Sequence, residues 1–301
     1  MSLHGPRVIA LAIAAALATA PAAFADEVVT PPGDQGPFLG PQYEYGQMNV
    51  VKRALYDVVA IPANVGSWDA ADWAQLGAFG GAIAGLWYWP ANPSPDVRFE
   101  RWTTVHVSPH IPTIWNEVMQ PLLWTSIAGG TLGTWYWAAT HDRPDIAQGM
   151  SLMGEALAVT QAYHVTLKFF IGREGPQDGS LEGRVLGPGK ALKYYPAGTP
   201  SGHAGTLYSL LSVGFAYFEP PTWVQVVGHA TVGGLVFAHV LDHRHYLSES
   251  LWGSAMGWYV GQWVVKHRTT RSIRERPGTL TADLVPLPIA GGAGLGLVGR
   301  F

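Results

Sequence analysis

The sequence predicts an all-α protein built from six apolar helices. Hydrophobic residues make up 48% of the 301 residues and charged residues only 13%, about half the usual charged share. Six long apolar segments are separated by shorter stretches rich in glycine, proline and charge, which is the pattern of helices joined by turns. The lack of cysteine excludes disulfides and thiolate metal sites. The net charge of −3 offers no basic surface for nucleic acid.

Residues 1–25 have the layout of a secretory signal peptide. Arg7 precedes an apolar run over residues 8–20, and Ala23-Phe24-Ala25 supplies the small residues of a cleavage site. An uncleaved membrane anchor is the alternative. Residues 26–71 are predicted to form an N-terminal lead-in, whose first part is rich in proline, glycine and glutamine. The signal predicts export to the envelope of a bacterial cell.

The helical domain is predicted over residues 72–268. Its apolar segments cover 72–90, 116–140, 148–171, 202–218, 223–241 and 248–266. The second segment carries no charge over 118–140 and is long enough to cross a bilayer, for which about 20 residues are needed. The Pro/Gly-rich tail, 269–301, is predicted to be irregular, with a short hairpin as the alternative.

Two placements of this bundle are open. If all six segments crossed a membrane, the linkers at 172–201 and 242–247 would lie on one side and the basic chain end after 266 on the other. The positive-inside rule would then put the linkers outside the cytoplasm. A cleaved signal, however, would start the chain outside, and six crossings would leave its end outside too. The conflict disappears if the signal stays as an anchor, if one segment does not span, or if the bundle is soluble and periplasmic.

Polar motifs suited to phosphate chemistry lie at the ends of the apolar segments. The third segment is followed by Lys168 and Arg173, the fourth begins with 201–203 (Ser-Gly-His), and the sixth begins near His245 and Glu249. In a helical bundle these ends meet on one side. Cations and the free N–H groups of a helix start bind phosphate oxygens. A carboxylate at i+4 can orient a histidine to attack phosphorus, while a second histidine protonates the leaving oxygen.

The order and spacing of these motifs resemble the type 2 phosphatidic acid phosphatase superfamily, which includes the vanadium haloperoxidases. The family pattern is K-x6-R-P, then P-S-G-H, then S-R-x5-H-x3-D, and the resemblance covers about residues 148–266. It implies a six-helix bundle of that type. It also implies that His245 is the nucleophile that forms a phosphohistidine, that Glu249 orients it, and that His203 is the general acid. The groups implied to hold phosphate oxygens are Lys168, Ser201 and the amide of Gly202.

Four positions depart from the family pattern, and one of them is Ala238 in place of the serine of the third motif. Gly175 and His239 stand where the first and third motifs have arginine, and Glu249 stands where the third has aspartate. Arg173 and, if protonated, His239 are the predicted replacement donors to phosphate. One lost oxyanion donor can cost about 3–4 kcal/mol. These changes therefore favour, as the alternative, a catalytically impaired relative that binds phosphate or lipid or acts as a scaffold.

The predicted function is a phosphomonoesterase of the cell envelope that hydrolyses a lipid phosphate or pyrophosphate. It would act at the inner membrane with its active site facing the periplasm, or as a soluble periplasmic protein. The predicted partners are the phosphoester substrate and a membrane, without nucleic acid. No metal or cofactor is predicted. A metal on His239 and His243, spaced i and i+4, is a weaker alternative. A vanadate-dependent peroxidase is the least favoured alternative, because vanadate needs the same cations and two of the arginines are replaced.

Overall fold

The fold is given by a computed structural model that describes the helical body and part of the tail. The described residues are 50–68, 70–88, 93–107, 110–141, 143–177, 182–190, 198–268, 281–289 and 292–300. The predicted signal peptide, the lead-in up to residue 49 and the first part of the tail, 269–280, lie outside them. The described chain is mostly helical, in agreement with the all-α prediction.

The helices follow one another along the chain, and two strands come after the last helix. They are α1 Val50–Ala63, α2 Ala70–Tyr88, α3 Pro95–His106, α4 His110–Ile114, α5 Gln120–Thr140, α6 Pro144–Ile171, α7 Gly202–Phe218, α8 Thr222–Leu241, α9 Leu247–Arg268, β1 Thr281–Ile289 and β2 Gly292–Arg300. A short 3-10 helix, Asn64–Ser67, follows α1, and a π-helical turn, Trp115–Met119, joins α4 to α5.

Each of the six predicted apolar segments forms a helix, namely α2 and α5 to α9, with ends close to the predicted ones. The prediction missed α1, which lies in the predicted lead-in and packs against α6. It also missed α3, whose buried face carries Asp96, Glu100 and Thr103 beside Val97. A helix that buries polar residues shows no apolar stripe of helical period, so the pattern that revealed the other helices is missing there.

The tail contains a hairpin. Strands β1 and β2 pair antiparallel from Thr281 opposite Arg300 to Ile289 opposite Gly292. The prediction of an irregular tail is therefore wrong for these two segments, and the hairpin alternative applies. The physical reason is visible at residues 294–297, where glycine alternates with leucine. That two-residue period fits a strand despite the high glycine content.

Helices α7 and α9 touch backbone to backbone along a seam of glycines. Gly253, Gly257 and Gly261 recur every four residues of α9, which places them on one face. A Cβ atom on Gly253 would lie 2.2 Å from the carbonyl oxygen of Ser201, and one on Gly257 would lie 2.2 Å from that of Gly205. The seam therefore holds the start of α7 against the start of α9, where the predicted site residues lie.

The main apolar core lies between α1, α6, α7 and α9. It includes the fully buried side chains of Leu152, Val159, Val213 and Val264. Burial of each such side chain contributes about 1.5–3 kcal/mol. This core fixes the axes of the helices whose ends carry the polar motifs.

Buried ion pairs tie α1 and the end of α9 to α6. Glu155 accepts from Arg53 and, at 3.0 Å, from Nε of Arg268. Nη2 of Arg268 also donates to Oδ1 of Asp57 at 2.6 Å. All four side chains are buried, so the two cations and two carboxylates compensate one another away from water.

Helix α8 presents an apolar surface. Trp223, Val226 and Val227 are exposed. Within the described residues, α8 is the helix that is long and apolar enough to cross a membrane by length and composition. The sequence favours 116–140 as the clearest span, and this preference is not supported. The glycine, serine, threonine and glutamine residues of α5 lower its hydropathy.

Replacing Gly257 by alanine should destabilise the bundle by about 1–3 kcal/mol or more, because the new methyl group meets the backbone of α7. Gly80→Ala is the matched control. A Cβ atom there meets nothing within 4 Å, and alanine is the better helix former by about 1 kcal/mol. Thermal unfolding followed by circular dichroism measures both. Equal unfolding midpoints for the two variants would contradict the close contact between the backbones of α7 and α9 at Gly257.

Glu155→Gln should destabilise the protein by about 3–5 kcal/mol, because it leaves two buried cations with one carboxylate between them. Asp145→Asn is the control, since the Arg143–Asp145 pair is exposed and such pairs contribute about 0–1 kcal/mol. Chemical unfolding curves give both differences. A small effect of Glu155→Gln would show that the cluster tolerates uncompensated charge.

Candidate active site

The end of α6 buries two cations. Lys168 lies in the last turn of α6, and its exposed fraction is 1%. Gly172 caps the helix with φ of 60°, and a Cβ atom there would lie 1.9 Å from the carbonyl oxygen of Gly187. Only glycine fits this close turn. The turn brings the next residue, Arg173, into the interior, where its side chain is also buried.

The start of α7 offers free backbone donors beside those cations. Ser201 is the N-cap, and its Oγ accepts from the amide of Ala204 at 3.3 Å. Gly202 follows, and a Cβ atom on it would lie 2.5 Å from the ring of His164, so a side chain cannot fit. The positive end of a helix dipole and open N–H groups at this point favour an anion.

His245 is held by Glu249. The His245 Nδ1 atom lies 3.0 Å from Glu249 Oε2, and both side chains are fully buried. Because the carboxylate accepts a hydrogen bond, Nδ1 carries the proton. The Nε2 atom is therefore unprotonated and its lone pair is available. Burial and the cations of Lys168 and Arg244 lower the pKa of His245. The ring is therefore neutral, has a defined tautomer and presents an unprotonated Nε2 atom.

Both oxygens of Glu249 are fixed. Oε1 accepts from Oγ1 of Thr199 at 3.0 Å and faces Arg173 Nη1 at 3.7 Å. Oε2 accepts from the amide of Tyr246 at 3.3 Å as well as from His245. The longer glutamate side chain thus performs the i,i+4 contact that the family pattern assigns to aspartate.

His203 faces the nucleophilic atom of His245. His203 Nδ1 lies 3.4 Å from His245 Nε2, and Nε2 of His203 lies 3.3 Å from Nε2 of Gln120. The Gln120 amide nitrogen can only donate, so the proton of a neutral His203 ring lies on Nδ1 and points at His245. The two predicted catalytic histidines are therefore adjacent.

His239 stacks on His203, with ring centroids 4.4 Å apart and an angle of 28° between planes. Its Nδ1 lies 3.0 Å from the carbonyl oxygen of Leu235. Since a carbonyl only accepts, Nδ1 carries the proton, and Nε2 is a buried acceptor with no partner among the described residues. His239 thus lies beside His203, and its predicted contact with phosphate stays a prediction. In the neutral form it presents an acceptor, where the sequence predicts a donor to phosphate.

Arg173 lies behind Glu249. Its Nη1 donates to Asp96 Oδ2 at 3.0 Å and to Ser248 Oγ at 2.9 Å. The guanidinium carbon lies 4.6 Å from the ring centroid of Trp87 and 4.3 Å from that of Tyr246. The predicted role of Arg173 as a phosphate ligand stays a prediction, because its cation is shared with carboxylates.

Helix α3 supplies two carboxylates that the sequence analysis missed. Asp96 Oδ1 accepts from the amide of Ser248 at 3.0 Å, and Glu100 Oε1 lies 2.6 Å from His243 Nδ1. The first contact holds the start of α9, and the second holds the linker between α8 and α9. The signal in the sequence was a helix start at Ser94-Pro95 with acids four residues apart. Carboxylates on a polar helix are ordinarily solvated, so this signal was weak.

The alternative of a metal on His239 and His243 finds no support. Their Nδ1 atoms make contacts with different groups, the carbonyl of Leu235 and the carboxylate of Glu100. In the part of the chain that the structure describes, no group of three or more possible ligands is arranged to hold a metal ion.

The end of the bundle thus combines a carboxylate-oriented histidine, a second histidine and a buried lysine at a helix start. Residues 149–273 match the model of the PAP2 superfamily. This confirms the resemblance to the type 2 phosphatidic acid phosphatases for that segment. No curated protein and no solved structure matches the chain. PAP2 proteins are generally phosphatases, so the match indicates phosphatase-type chemistry on phosphate esters in general terms.

The PAP2 segment contains every predicted site residue from Lys168 to Glu249. It does not contain α3, so Asp96 and Glu100 come from outside the matched segment. The structure brings His203, His239 and His245 together.

The His243–Glu100 contact should make stability fall with rising pH. The hydrogen bond to Glu100 raises the pKa of His243 above its ordinary 6.5, against the effect of burial. The folded state therefore binds this proton more tightly than the unfolded state. The stabilisation is complete below pH 6.5 and is lost as the pH rises through the raised pKa.

Unfolding free energies measured from pH 6 to 9 test this expectation. Glu100→Gln should flatten the decline, because it removes the carboxylate that raises the pKa of His243. An unchanged slope in that variant would assign the pH dependence to other groups.

Proposed function

We propose that this protein is a cell-envelope phosphomonoesterase that hydrolyses a lipid phosphate or pyrophosphate through a phosphohistidine on His245. The observation that carries the proposal is the fully buried His245–Glu249 contact at 3.0 Å, with the His245 Nε2 atom facing His203. The PAP2 match supports phosphate esters as the substrate class.

In the first step, the phosphoryl group enters between the rings of His203 and His245. The Nε2 lone pair of His245 attacks phosphorus, and the bond from phosphorus to the leaving oxygen breaks. Burial and the neighbouring histidines lower the pKa of His203, so His203 takes up a second proton together with the anionic phosphoryl group. The protonated ring gives its Nδ1 proton to the leaving oxygen and becomes neutral. The phosphohistidine ring is cationic, and the Glu249 carboxylate stabilises it through the Nδ1 proton.

In the second step, water replaces the leaving group. Neutral His203 takes a proton from the water as its oxygen attacks phosphorus, and the bond from phosphorus to His245 Nε2 breaks. Phosphate leaves, His245 regains its lone pair, and His203 is again protonated for the next cycle.

Three groups are proposed to hold the phosphate oxygens. Lys168 supplies a buried cation. The hydroxyl hydrogen of Ser201 can donate, since its oxygen already accepts from Ala204. The Gly202 amide lies at the open start of α7. Donors aimed at the developing charge in a buried site stabilise the transition state.

The outer surface of the protein is the basis for proposing a lipid substrate and a membrane location. Apolar side chains of α8 are exposed, and α8 is long enough to cross a membrane. We therefore place the protein at the inner membrane with its site on the periplasmic side, in line with the export signal in the sequence. A soluble periplasmic form is the alternative.

A phosphate- or lipid-binding protein without turnover is the second candidate. Two observations favour it. Arg173 is engaged by Asp96 and Ser248, and His239 turns an unprotonated nitrogen into the buried site. The cations available to a trianionic transition state are thus fewer than the family pattern provides.

Phosphate release from phosphatidic acid, undecaprenyl pyrophosphate and p-nitrophenyl phosphate tests the enzyme. The full-length purified protein should release phosphate in the presence of a chelator. His245→Ala should lose about 10³-fold or more of kcat, as expected for removal of a nucleophile. Acid-labile radioactive phosphate should be trapped on the wild-type protein and not on this variant.

Asp145→Asn, far from the site and exposed, is the control and should keep full activity. A folded wild-type protein that binds vanadate or phosphate without releasing any product would refute the enzyme and support the binding protein. Hydrolysis of p-nitrophenyl phosphate alone would refute the lipid substrate.

A further inference from the structure

We propose that Asp96 is a positioning residue that acts on His245 through Arg173 and Glu249. This inference rests on the proposed function of the site. Asp96 touches none of the reacting groups itself. It lies on α3, outside the segment that matches the PAP2 superfamily.

The contacts form one continuous chain of charges. Asp96 Oδ2 accepts from Arg173 Nη1 at 3.0 Å, and the same Nη1 atom lies 3.7 Å from Glu249 Oε1. The other oxygen of Glu249, Oε2, accepts from His245 Nδ1 at 3.0 Å. All four side chains are fully buried, so these interactions are not screened by water.

A second contact of Asp96 fixes the backbone that carries Glu249. Asp96 Oδ1 accepts from the amide of Ser248 at 3.0 Å, and Oδ2 also accepts from the Ser248 hydroxyl. Ser248 immediately precedes Glu249 in the first turn of α9. A carboxylate at this point satisfies an open N–H group of the helix start. Asp96 therefore sets both the start of α9 and the charge behind Glu249.

The charge balance gives Asp96 its effect on His245. Arg173 lies between two carboxylates, Asp96 and Glu249. If Asp96 loses its charge, the buried guanidinium keeps Glu249 as its anionic partner and attracts it more strongly. Glu249 then shares less of its charge with the Nδ1 proton of His245. The imidazolium that forms with the phosphohistidine is consequently less stabilised.

Other charged or titratable groups also face His245 and stay constant in this comparison. They are Lys168 and His164 from α6, His203 from α7, His239 from α8, and Arg244 from the linker. A change at Asp96 removes none of these side chains, so a shift at His245 reports the route through Glu249, by way of Arg173 and of the Ser248 amide.

Asp96→Asn in the full-length protein tests the proposal, because it keeps the shape and removes the charge. We expect kcat to fall about 10- to 100-fold, as for other residues that orient a reacting ligand, with KM changed less than threefold. The hydrogen-bonded Nδ1 proton of His245, assigned in the NMR spectrum by its loss in His245→Ala, should shift upfield.

Glu100→Gln is the matched control. Glu100 lies one turn further along α3, is equally buried and also holds the linker, through His243. Within the described residues it forms no hydrogen bond or ion pair with Arg173 or Glu249, and its charge acts on Glu249 only at longer range. The chemical shift of the His245 Nδ1 proton should stay unchanged in Glu100→Gln, although the protein loses stability. An equal upfield shift in both variants would overturn the proposal and assign the effect to a loosened linker.

If Asp96→Asn does not fold, Ser248→Ala takes its place, since the Ser248 hydroxyl bridges Asp96 and Arg173. The same upfield shift, smaller in size, is expected, and no shift would overturn the proposal. A wild-type protein without phosphatase activity would refute the proposed function. The chemical shift of the His245 Nδ1 proton would still show whether Asp96 positions His245. An active wild type with unchanged kcat and spectrum in Asp96→Asn would overturn this inference alone.

Discussion

The contact between Glu249 and His245 is the interaction on which the rest of the site depends. It joins two fully buried side chains one helical turn apart at the start of α9. The carboxylate selects the tautomer in which Nδ1 carries the proton, and this leaves Nε2 unprotonated, as the proposed nucleophile requires. A buried carboxylate needs further donors. Thr199 and the amide of Tyr246 supply them.

The helical body brings the turn after α6, the start of α7 and the start of α9 to this one contact. The glycine seam lets α7 and α9 approach until their backbones touch, and a hydrogen bond from the Ser201 amide to the Glu249 carbonyl, 3.0 Å long, links their first turns directly. The turn at Gly172 returns the chain after α6 to the same end. At the far side of the bundle, the Glu155 cluster fixes α1 and the end of α9 on α6, so both ends of α9 are held by buried charge.

The substitutions relative to the family pattern change how the site handles charge. The arginine of the third motif is replaced by His239, which stacks on His203 and donates its proton to a backbone carbonyl. Arg173 is close enough in sequence to replace the arginine of the first motif, yet it is bound by Asp96 behind Glu249. In the proposed function, Lys168 and the start of α7 therefore hold the anion, while the buried Arg173 lies behind Glu249.

The sequence by itself determined the six apolar helices, the motifs at their ends and the pairing of His245 with Glu249. Apolar periodicity and an i,i+4 spacing are local properties, so they are visible in the chain. It did not reveal α3, because a helix that buries Asp96 and Glu100 lacks an apolar stripe. It also missed α1, although that helix buries apolar residues at helical spacing. Only the tertiary structure decided that Arg173 binds Asp96, since the two residues are 77 positions apart in the chain. From the sequence alone, an arginine at a helix end could equally pair with a phosphate, with the helix dipole or with a carboxylate. The unprotonated face of His239 was likewise decided by a carbonyl that only the folded helix presents.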